Sequence, residues 1–180
     1  VRAPDKVLPW DDERISLVQD VWGAGFDRPG GGDDVLTLLK PVGLNPKMSV
    51  MELGAGLGGA TRAVSKEFAV WINGIEGDPD LARAGQKLSE IAGLTKKAPI
   101  HAEALRDVEI KPNSLDVVFA RESFVVVPDK VRLLHAIEKG LKPKGQLLFT
   151  DYVLASVGDH STELQAWKDG EPDTPAPWAV

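Results

Sequence analysis

Short apolar runs alternate with amphipathic segments from residue 48 onward. The apolar runs predict five strands, at residues 49–53, 69–75, 98–102, 115–120 and 146–153. Between them, apolar residues at helical spacing predict helices at 59–67, 79–92 and 129–141. Because apolar strands separated by helices form parallel sheets covered on both faces, this pattern predicts a doubly wound α/β fold. In such sheets ligands bind at the carboxyl ends of the strands, where the strand order reverses.

The first 47 residues have a different pattern. They predict one helix after the acidic run 11–13 and a second helix capped by Asp33 and Asp34, which ends before Pro41. The glycine-rich segment 22–32 joins these helices and contains two aromatic residues. Its composition fits a flexible surface connector, whereas its aromatic residues favour a lid that packs on a ligand. We therefore divide the chain into N-terminal helices and lid (1–47), an α/β core (48–155) and a polar tail rich in Pro and Trp (156–180).

Composition narrows the classes of partner. The net charge of −6 and pI near 5.1 argue against a sequence-independent nucleic-acid binder, because phosphate contacts need a basic face. With no cysteine, the chain has no disulfide framework and no thiolate metal site, and no metal site is predicted. No apolar run approaches the roughly 18 residues of a membrane span, so we expect a cytoplasmic protein.

A glycine cluster after the first predicted strand is the main functional signal. Gly54, Gly56 and Gly59 match the G-x-G-x-x-G pattern of dinucleotide sites, which is weak when it stands alone. Glu52 precedes these glycines and would repel a pyrophosphate, whereas it would favour the ammonium and sulfonium of S-adenosylmethionine. Glu76 ends the second strand, about twenty residues later, where it could accept the ribose hydroxyls of either cofactor.

Five segments together resemble the class I S-adenosylmethionine-dependent methyltransferases. Residues 52–58 (Glu-Leu-Gly-Ala-Gly-Leu-Gly) resemble the family's first motif, and Glu76 is similar to the acidic residue of its second. Residues 101–105, 115–120 and 141–148 resemble the segments around strands three, four and five. Within this family, the glycine loop and residues 121–123 and 150–152 look most like enzymes that methylate phosphoethanolamine, sarcosine and related amines, and like the quinone-biosynthesis group.

The resemblance implies a cofactor site residue by residue. Glu52 organises the turn or meets the cofactor ammonium, Glu76 binds the ribose, Glu103 to Leu105 meet the adenine, and Arg121 lies beside the methionine part. The lid glycines close over the cofactor. The full set implied by the resemblance is Gly31, Gly32, Glu52, Gly54, Ala55, Gly56, Glu76, Gly77, Glu103, Ala104, Leu105 and Arg121.

Two departures from the family pattern concern the adenine and the acceptor. The family's aspartate after strand three is replaced by Glu103, which is one methylene longer. The phosphoethanolamine enzymes carry a histidine a few residues after the arginine, where this chain has Val126. The second departure argues against a phosphobase as the methyl acceptor.

The predicted reaction is methyl transfer to a small molecule by in-line displacement, which needs positioning more than acid–base groups. Asp151 and Tyr152, at the mouth end of strand five, are candidates to contact the acceptor. The alternatives are a catalytically silent cofactor-binding or dimerising fragment and, third, an NAD(P)-dependent oxidoreductase. The fold apparently lacks the family's last two strands, so we expect either a fragment or a partner copy, as in a homodimer, that covers strand five.

Overall fold

One parallel sheet of five strands organises the chain in the computed structural model, which describes residues 9–154, 161–170 and 178. The strand order is β3-β2-β1-β4-β5, and every neighbouring pair is parallel. The strands are β1 Ser49–Leu53, β2 Trp71–Glu76, β3 Ile100–Ala102, β4 Leu115–Arg121 and β5 Leu141–Thr150. The order reverses at β1, whose neighbours are β2 on one side and β4 on the other. The crevice expected for a ligand therefore opens between the carboxyl ends of β1 and β4.

Helices cover both faces of the sheet. They are α1 Asp12–Trp22, α2 Gly31–Leu39, α3 Gly59–Phe68, α4 Pro79–Ile91, α5 Lys130–Gly140 and α6 Thr162–Gly170. Two short 3-10 helices lie at Lys40–Val42 and Phe124–Val126. Within the described residues, no helix is both long and apolar enough to cross a membrane.

The alternation of side chains along β4 assigns each helix to a face. Val117 and Phe119 pack with apolar residues of α2 and α3, whereas Val118 and Ala120 pack with Leu133 and other residues of α5. All four of these β4 side chains are at most 1% exposed. The prediction of a doubly wound parallel α/β fold is therefore confirmed.

Local signals placed most helix starts correctly. Asp78 caps α4 by accepting the N–H groups of Asp80 and Leu81, and Pro79 occupies the first helical position, where no donor is needed. Asp129 caps α5 in the same way through the Arg132 N–H.

The predicted cap of α2 is wrong. The helix begins at Gly31, and its cap is Gly30 in a left-handed conformation with φ of 101°; Asp33 and Asp34 lie in the first turn. Acidic side chains in the first turn interact favourably with the positive end of the helix dipole even when they do not cap the helix. Gly31 and Gly32 therefore belong to a helix, and the lid is the loop 23–30.

The bounds of four strands also differ from the prediction. β3 begins at Ile100 rather than at residue 98, and β4 extends by one residue to Arg121. Ala69 has a left-handed backbone that ends α3, so β2 begins only at Trp71. β5 begins at Leu141, pairs with Leu115, and resumes regular pairing at Gln146 after an irregularity in the register. It ends at Thr150, and Val153 forms only an isolated bridge with Trp178.

The polar tail holds one helix that its composition did not predict, α6. The rest of the tail that is described consists of Ser161 and Trp178. The prolines of the tail lie outside the described residues.

Candidate active site

A tight turn of glycines connects β1 to α3. Gly54, Gly56 and Gly58 all have positive φ, at 77°, 56° and 73°, which residues with a Cβ rarely adopt. The N–H groups of Gly54 and Ala55 both donate to the Ile75 carbonyl of β2, at 2.9 Å. This bonding holds the turn against the end of β2.

Glu76 lies against this turn rather than in solvent. It is 9% exposed, its Oε2 accepts the Gly56 N–H at 2.7 Å, and its Oε1 accepts the Asp78 N–H at 2.9 Å. Burial raises the pKa of Glu76 against the opposing effect of these two hydrogen bonds. The carboxyl group predicted to bind the ribose is therefore held rigidly at the end of β2, beside the glycine turn.

Glu52 is more deeply buried, at 1% exposed. Its Oε2 accepts the Thr61 hydroxyl of α3 at 2.5 Å. Burial raises the pKa of Glu52 to about 7, although Thr61, Arg121 and Arg28 lower it. This contact supports the interpretation in which Glu52 organises the turn, because it ties β1 to the first turn of α3.

Arg121 ends β4, directly across the crevice. Its Nε is buried and has no hydrogen-bond partner in the structure. Burial lowers the pKa of Arg121 while Glu52 opposes that shift. A buried donor without an acceptor is rare in folded proteins, and it indicates room for a polar ligand group at this point.

The lid lies directly on the glycine turn. Asp27 is only 10% exposed, and its Oδ1 accepts the Leu57 N–H at 3.1 Å. Its carboxylate occupies the position that a Cβ on Gly56 would take. Arg28 pairs with Asp27 at 3.2 Å and donates from Nη1 to the Arg121 carbonyl at 2.9 Å. The lid thus joins the end of β1 to the end of β4.

Arg62 binds backbone carbonyl groups of both the glycine turn and the lid. Its Nη1 donates to the Leu57 carbonyl at 2.8 Å, and its Nη2 donates to the Gly25 carbonyl at 3.3 Å. Burial lowers the pKa of Arg62 to about 10, against the opposing effect of Glu52. The side chain therefore stays charged at neutral pH while it binds backbone carbonyls.

Residues 103–105 follow β3 at the same edge of the sheet. The Glu103 N–H donates to the Glu76 carbonyl at 2.9 Å, and Leu105 is buried. Gly77 is close to Ala104, since a Cβ on Gly77 would lie 4.0 Å from the Ala104 Cα. The structure therefore brings the predicted ribose and adenine segments together, although the Glu103 carboxylate accepts the exposed Glu109 N–H, at 3.3 Å.

The two acceptor candidates have different surroundings. Both carboxylate oxygens of Asp151 accept a hydrogen bond. Oδ1 accepts the Val125 N–H at 3.2 Å, and Oδ2 accepts the Trp178 indole N–H at 2.6 Å. Tyr152 is half-exposed, and its hydroxyl donates to Glu122 Oε2 at 3.3 Å. Asp151 therefore holds the 3-10 helix and the tail in place, whereas Tyr152 faces the mouth of the crevice.

With this geometry in place, comparison with known proteins identifies the family. The model of a family described as "Methyltransferase domain" matches residues 51–149, which include the end of β1, the glycine turn and Glu76. The chain belongs to the methyltransferase domain family.

Curated relatives of this methyltransferase domain include N-methyltransferases. Phosphoethanolamine N-methyltransferase 2 of Caenorhabditis elegans is 36% identical over 140 residues, which cover 77% of this chain and 32% of the relative. Glycine/sarcosine/dimethylglycine N-methyltransferase of Actinopolyspora halophila is 27% identical over 110 residues, which cover 61% of this chain and 20% of the relative. The chain spans about a third or less of the length of these curated relatives.

A solved structure supports the fold of the methyltransferase domain. Phosphoethanolamine N-methyltransferase 2 of Haemonchus contortus, in complex with S-adenosyl-L-methionine, superposes with a TM-score of 0.80 at 24% identity. The match covers 89% of this chain and 37% of that chain. The class I methyltransferase type of fold is therefore confirmed.

Several residues of the methyltransferase domain's crevice were missed by sequence reasoning. They are Asp27, Arg28, Arg62 and the buried Ser123, whose hydroxyl donates to the Leu53 carbonyl at 2.8 Å. The available signal for the first two was a charged pair inside a loop rich in glycine. For Arg62, the signal was an arginine in the first turn of a helix that follows a glycine cluster.

Proposed function

We propose that the chain binds S-adenosylmethionine between the glycine turn and the lid and transfers its methyl group to a small amine. The single observation that carries this proposal is Glu76, a buried carboxyl group at the end of β2 that accepts the Gly56 N–H of the turn. Each carboxylate oxygen has a second lone pair, so Glu76 can accept ribose hydroxyls without losing its backbone contacts.

The residues around the crevice fit this cofactor. Gly54 and Gly56 shape the turn with positive φ, and their lack of a Cβ makes room for Ser123 and Asp27. The buried Arg121 Nε lacks an acceptor. Glu76 would hold the ribose, and residues 103–105 would meet the adenine. The remaining members of the predicted set are Glu52, which acts through Thr61, and Ala55, Gly77, Gly31 and Gly32, which shape the turn and the start of α2.

The chemistry supplied by the cofactor when bound is an electrophilic methyl group on a sulfonium. The protein's part is to align the acceptor and exclude water, and this positioning can supply much of the acceleration. The lid serves that purpose, because Asp27 and Arg28 join it to both sides of the crevice.

An amine acceptor fits the mouth of the crevice. Glu122 follows β4 with a left-handed backbone, φ of 52°, and its carboxylate accepts the Tyr152 hydroxyl. Backbone strain of this kind persists where the surrounding structure enforces it, commonly at functional sites. Glu122 would attract an ammonium group, and the names of the relatives above point to phosphoethanolamine, glycine or sarcosine as acceptors. Val126 is 41% exposed and offers no polar atom, which favours an acceptor without a phosphate.

Two predicted alternatives are tested by the same experiments. A silent fragment would bind cofactor without turnover, whereas an oxidoreductase would bind NAD; the relatives described above give no support to the oxidoreductase. The expected homodimer that covers β5 and the expected absence of a nucleic-acid partner stay predictions.

Calorimetric titration with S-adenosylhomocysteine and with NAD tests cofactor choice. We expect binding of S-adenosylhomocysteine and none of NAD. Glu76→Ala is expected to weaken binding by roughly 1–3 kcal/mol, the value of hydrogen bonds to a charged group. Glu67→Ala, which removes an exposed glutamate of α3, is the matched control. Unchanged affinity in Glu76→Ala, or tight binding of NAD alone, would contradict the proposal.

Incubation with a labelled methyl donor tests the acceptor. The panel contains phosphoethanolamine, glycine, sarcosine, a phenol and a quinol precursor. Methyl transfer to an amine without a phosphate is the expected result. Binding of S-adenosylhomocysteine without transfer to any member would favour the silent fragment.

A further inference from the structure

Arg28 lies where the lid touches both sides of the crevice. Its Nη1 donates to the Arg121 carbonyl of β4, and its Nη2 pairs with Asp27, which accepts the Leu57 N–H at the glycine turn. The Arg28 side chain is only 25% exposed. A guanidinium group carried by a loop rather than by the sheet therefore connects the end of β4 to the lid at the glycine turn.

The charges around Arg28 are mostly negative. Burial lowers the pKa of Arg28, but Asp27, Glu76 and Glu52 together raise it, so the guanidinium is charged at every physiological pH. Where they are ionised, these acidic residues favour the ammonium and sulfonium of the proposed cofactor. They disfavour its carboxylate, which needs a cation of its own.

Two other arginines lie near the turn. Arg62 is committed to carbonyl groups beneath the turn, those of Leu57 and Gly25. Arg121 is fixed on β4, and sequence resemblance already places it beside the methionine part. Arg28 differs from both because it is carried by the lid.

We propose that Arg28 binds the carboxylate at the amino-acid end of the cofactor and thereby couples closure of the lid to the presence of that end. The inference rests on the proposed function. Arg28 has the capacity for this contact, because Nη1 and Nη2 each carry a second hydrogen beyond the bonds to the Arg121 carbonyl and Asp27. The lid has glycines with positive φ at both ends, Gly23 and Gly30, each at 101°, where the backbone can change direction without a Cβ clash.

A pair of ligands isolates this contact. S-adenosylhomocysteine carries the amino-acid end, whereas 5′-methylthioadenosine lacks it and keeps the nucleoside. We expect Arg28→Gln to lower the affinity for S-adenosylhomocysteine roughly 10- to 100-fold in calorimetric titration, as for loss of a charge-assisted hydrogen bond. Affinity for 5′-methylthioadenosine should change less than about twofold, because no carboxylate contact is lost with that ligand. Arg28→Lys should restore part of the preference, since it keeps the charge without the planar fork.

The comparison of the two ligands separates carboxylate binding from support of the lid, because a displaced lid would weaken both of them. Arg106→Gln, which removes an exposed arginine, is the control and should leave both affinities unchanged.

Equal weakening of both ligands in Arg28→Gln, or no weakening of either, would overturn the inference. Circular dichroism checks folding; if Arg28→Gln does not fold, the ligand preference of Arg28→Lys decides. The proposed function fails separately, when the unaltered protein binds neither ligand.

Discussion

The crevice has two sides that are built differently. On the side of β1 and β2, Glu52 and Glu76 are buried, at 1% and 9% exposed, and Glu76 is bonded to backbone N–H groups. On the side of β4 and β5, Glu122 and Tyr152 are exposed and bonded to each other. We call these the cradle side and the mouth side. The cradle side is fixed by the sheet and the glycine turn. If the proposed function is correct, substitutions of Glu122 and Tyr152 on the mouth side should change the use of the acceptor without disturbing cofactor binding.

The largest effect that tests this contrast is expected from Gly56→Ala. The added Cβ would take the place of the Asp27 carboxylate on the glycine turn, and φ of 56° strains any residue with a side chain. We expect S-adenosylhomocysteine affinity to fall roughly 100-fold or more in calorimetry, because the lid is pushed away from a turn that is itself strained.

Gly43→Ala is the matched control for Gly56→Ala. Gly43 has φ of 71°, but a Cβ there meets nothing within 4 Å. Both variants should lose about 1–2 kcal/mol of stability from the left-handed backbone. Only Gly56→Ala should lose binding, and equal binding by the two variants would show that the cradle side does not depend on close approach of the lid to the turn.

A second effect concerns the buried charge of Glu52. Between pH 4.5 and about 7, the folded protein holds a proton on Glu52 that the unfolded chain has released. Stability from this group therefore falls as pH rises through that window, by about 3 kcal/mol in total at 1.36 kcal/mol per pKa unit. Glu52→Gln should remove this fall. The free energy of unfolding of the variant should therefore increase, relative to that of the unaltered protein, as pH rises.

Urea unfolding of both proteins at pH 5, 6, 7 and 8 measures the difference. Burial also raises the pKa of Glu76, so part of the pH dependence remains in Glu52→Gln. Parallel curves of the free energy of unfolding against pH for the two proteins would show that the pKa of Glu52 is not raised in the folded protein.

Short-range sequence signals placed the elements of the cradle side correctly. Glu76 was expected to end the second strand and does so, and Asp78 with Pro79 marked the start of α4. The role of Glu76 at the ribose stays a prediction. Such signals depend on neighbours within one turn or one strand, which periodicity and capping rules describe.

Long-range contacts of the lid and the tail could not be predicted. Arg28 meets the carbonyl of a residue 93 positions away, and Asp27 meets the Leu57 N–H 30 positions away. The indole N–H of Trp178 donates to Oδ2 of Asp151, a residue that the sequence suggested as a contact for the methyl acceptor. No local pattern encodes these pairings, because they depend on how the loop and the tail pack on a sheet that is already formed. The start of α2 was misjudged for a related reason: a left-handed glycine, rather than an acidic side chain, caps it.

The smallest effect is expected on the mouth side, from Tyr152→Phe. Desolvation and then Glu122 raise the pKa of Tyr152, so its hydroxyl stays a donor at neutral pH. The substitution keeps the ring beside Trp167 and removes one exposed hydrogen bond, worth about 0.5–1 kcal/mol. Steady-state kinetics with the amine found in the acceptor panel should show a two- to fivefold loss of kcat/KM, about the same energy at 1.4 kcal/mol per tenfold change. S-adenosylhomocysteine affinity should stay unchanged, because Glu76 and the glycine turn are untouched; a loss of cofactor affinity larger than the kinetic loss would mean that the two sides are not independent.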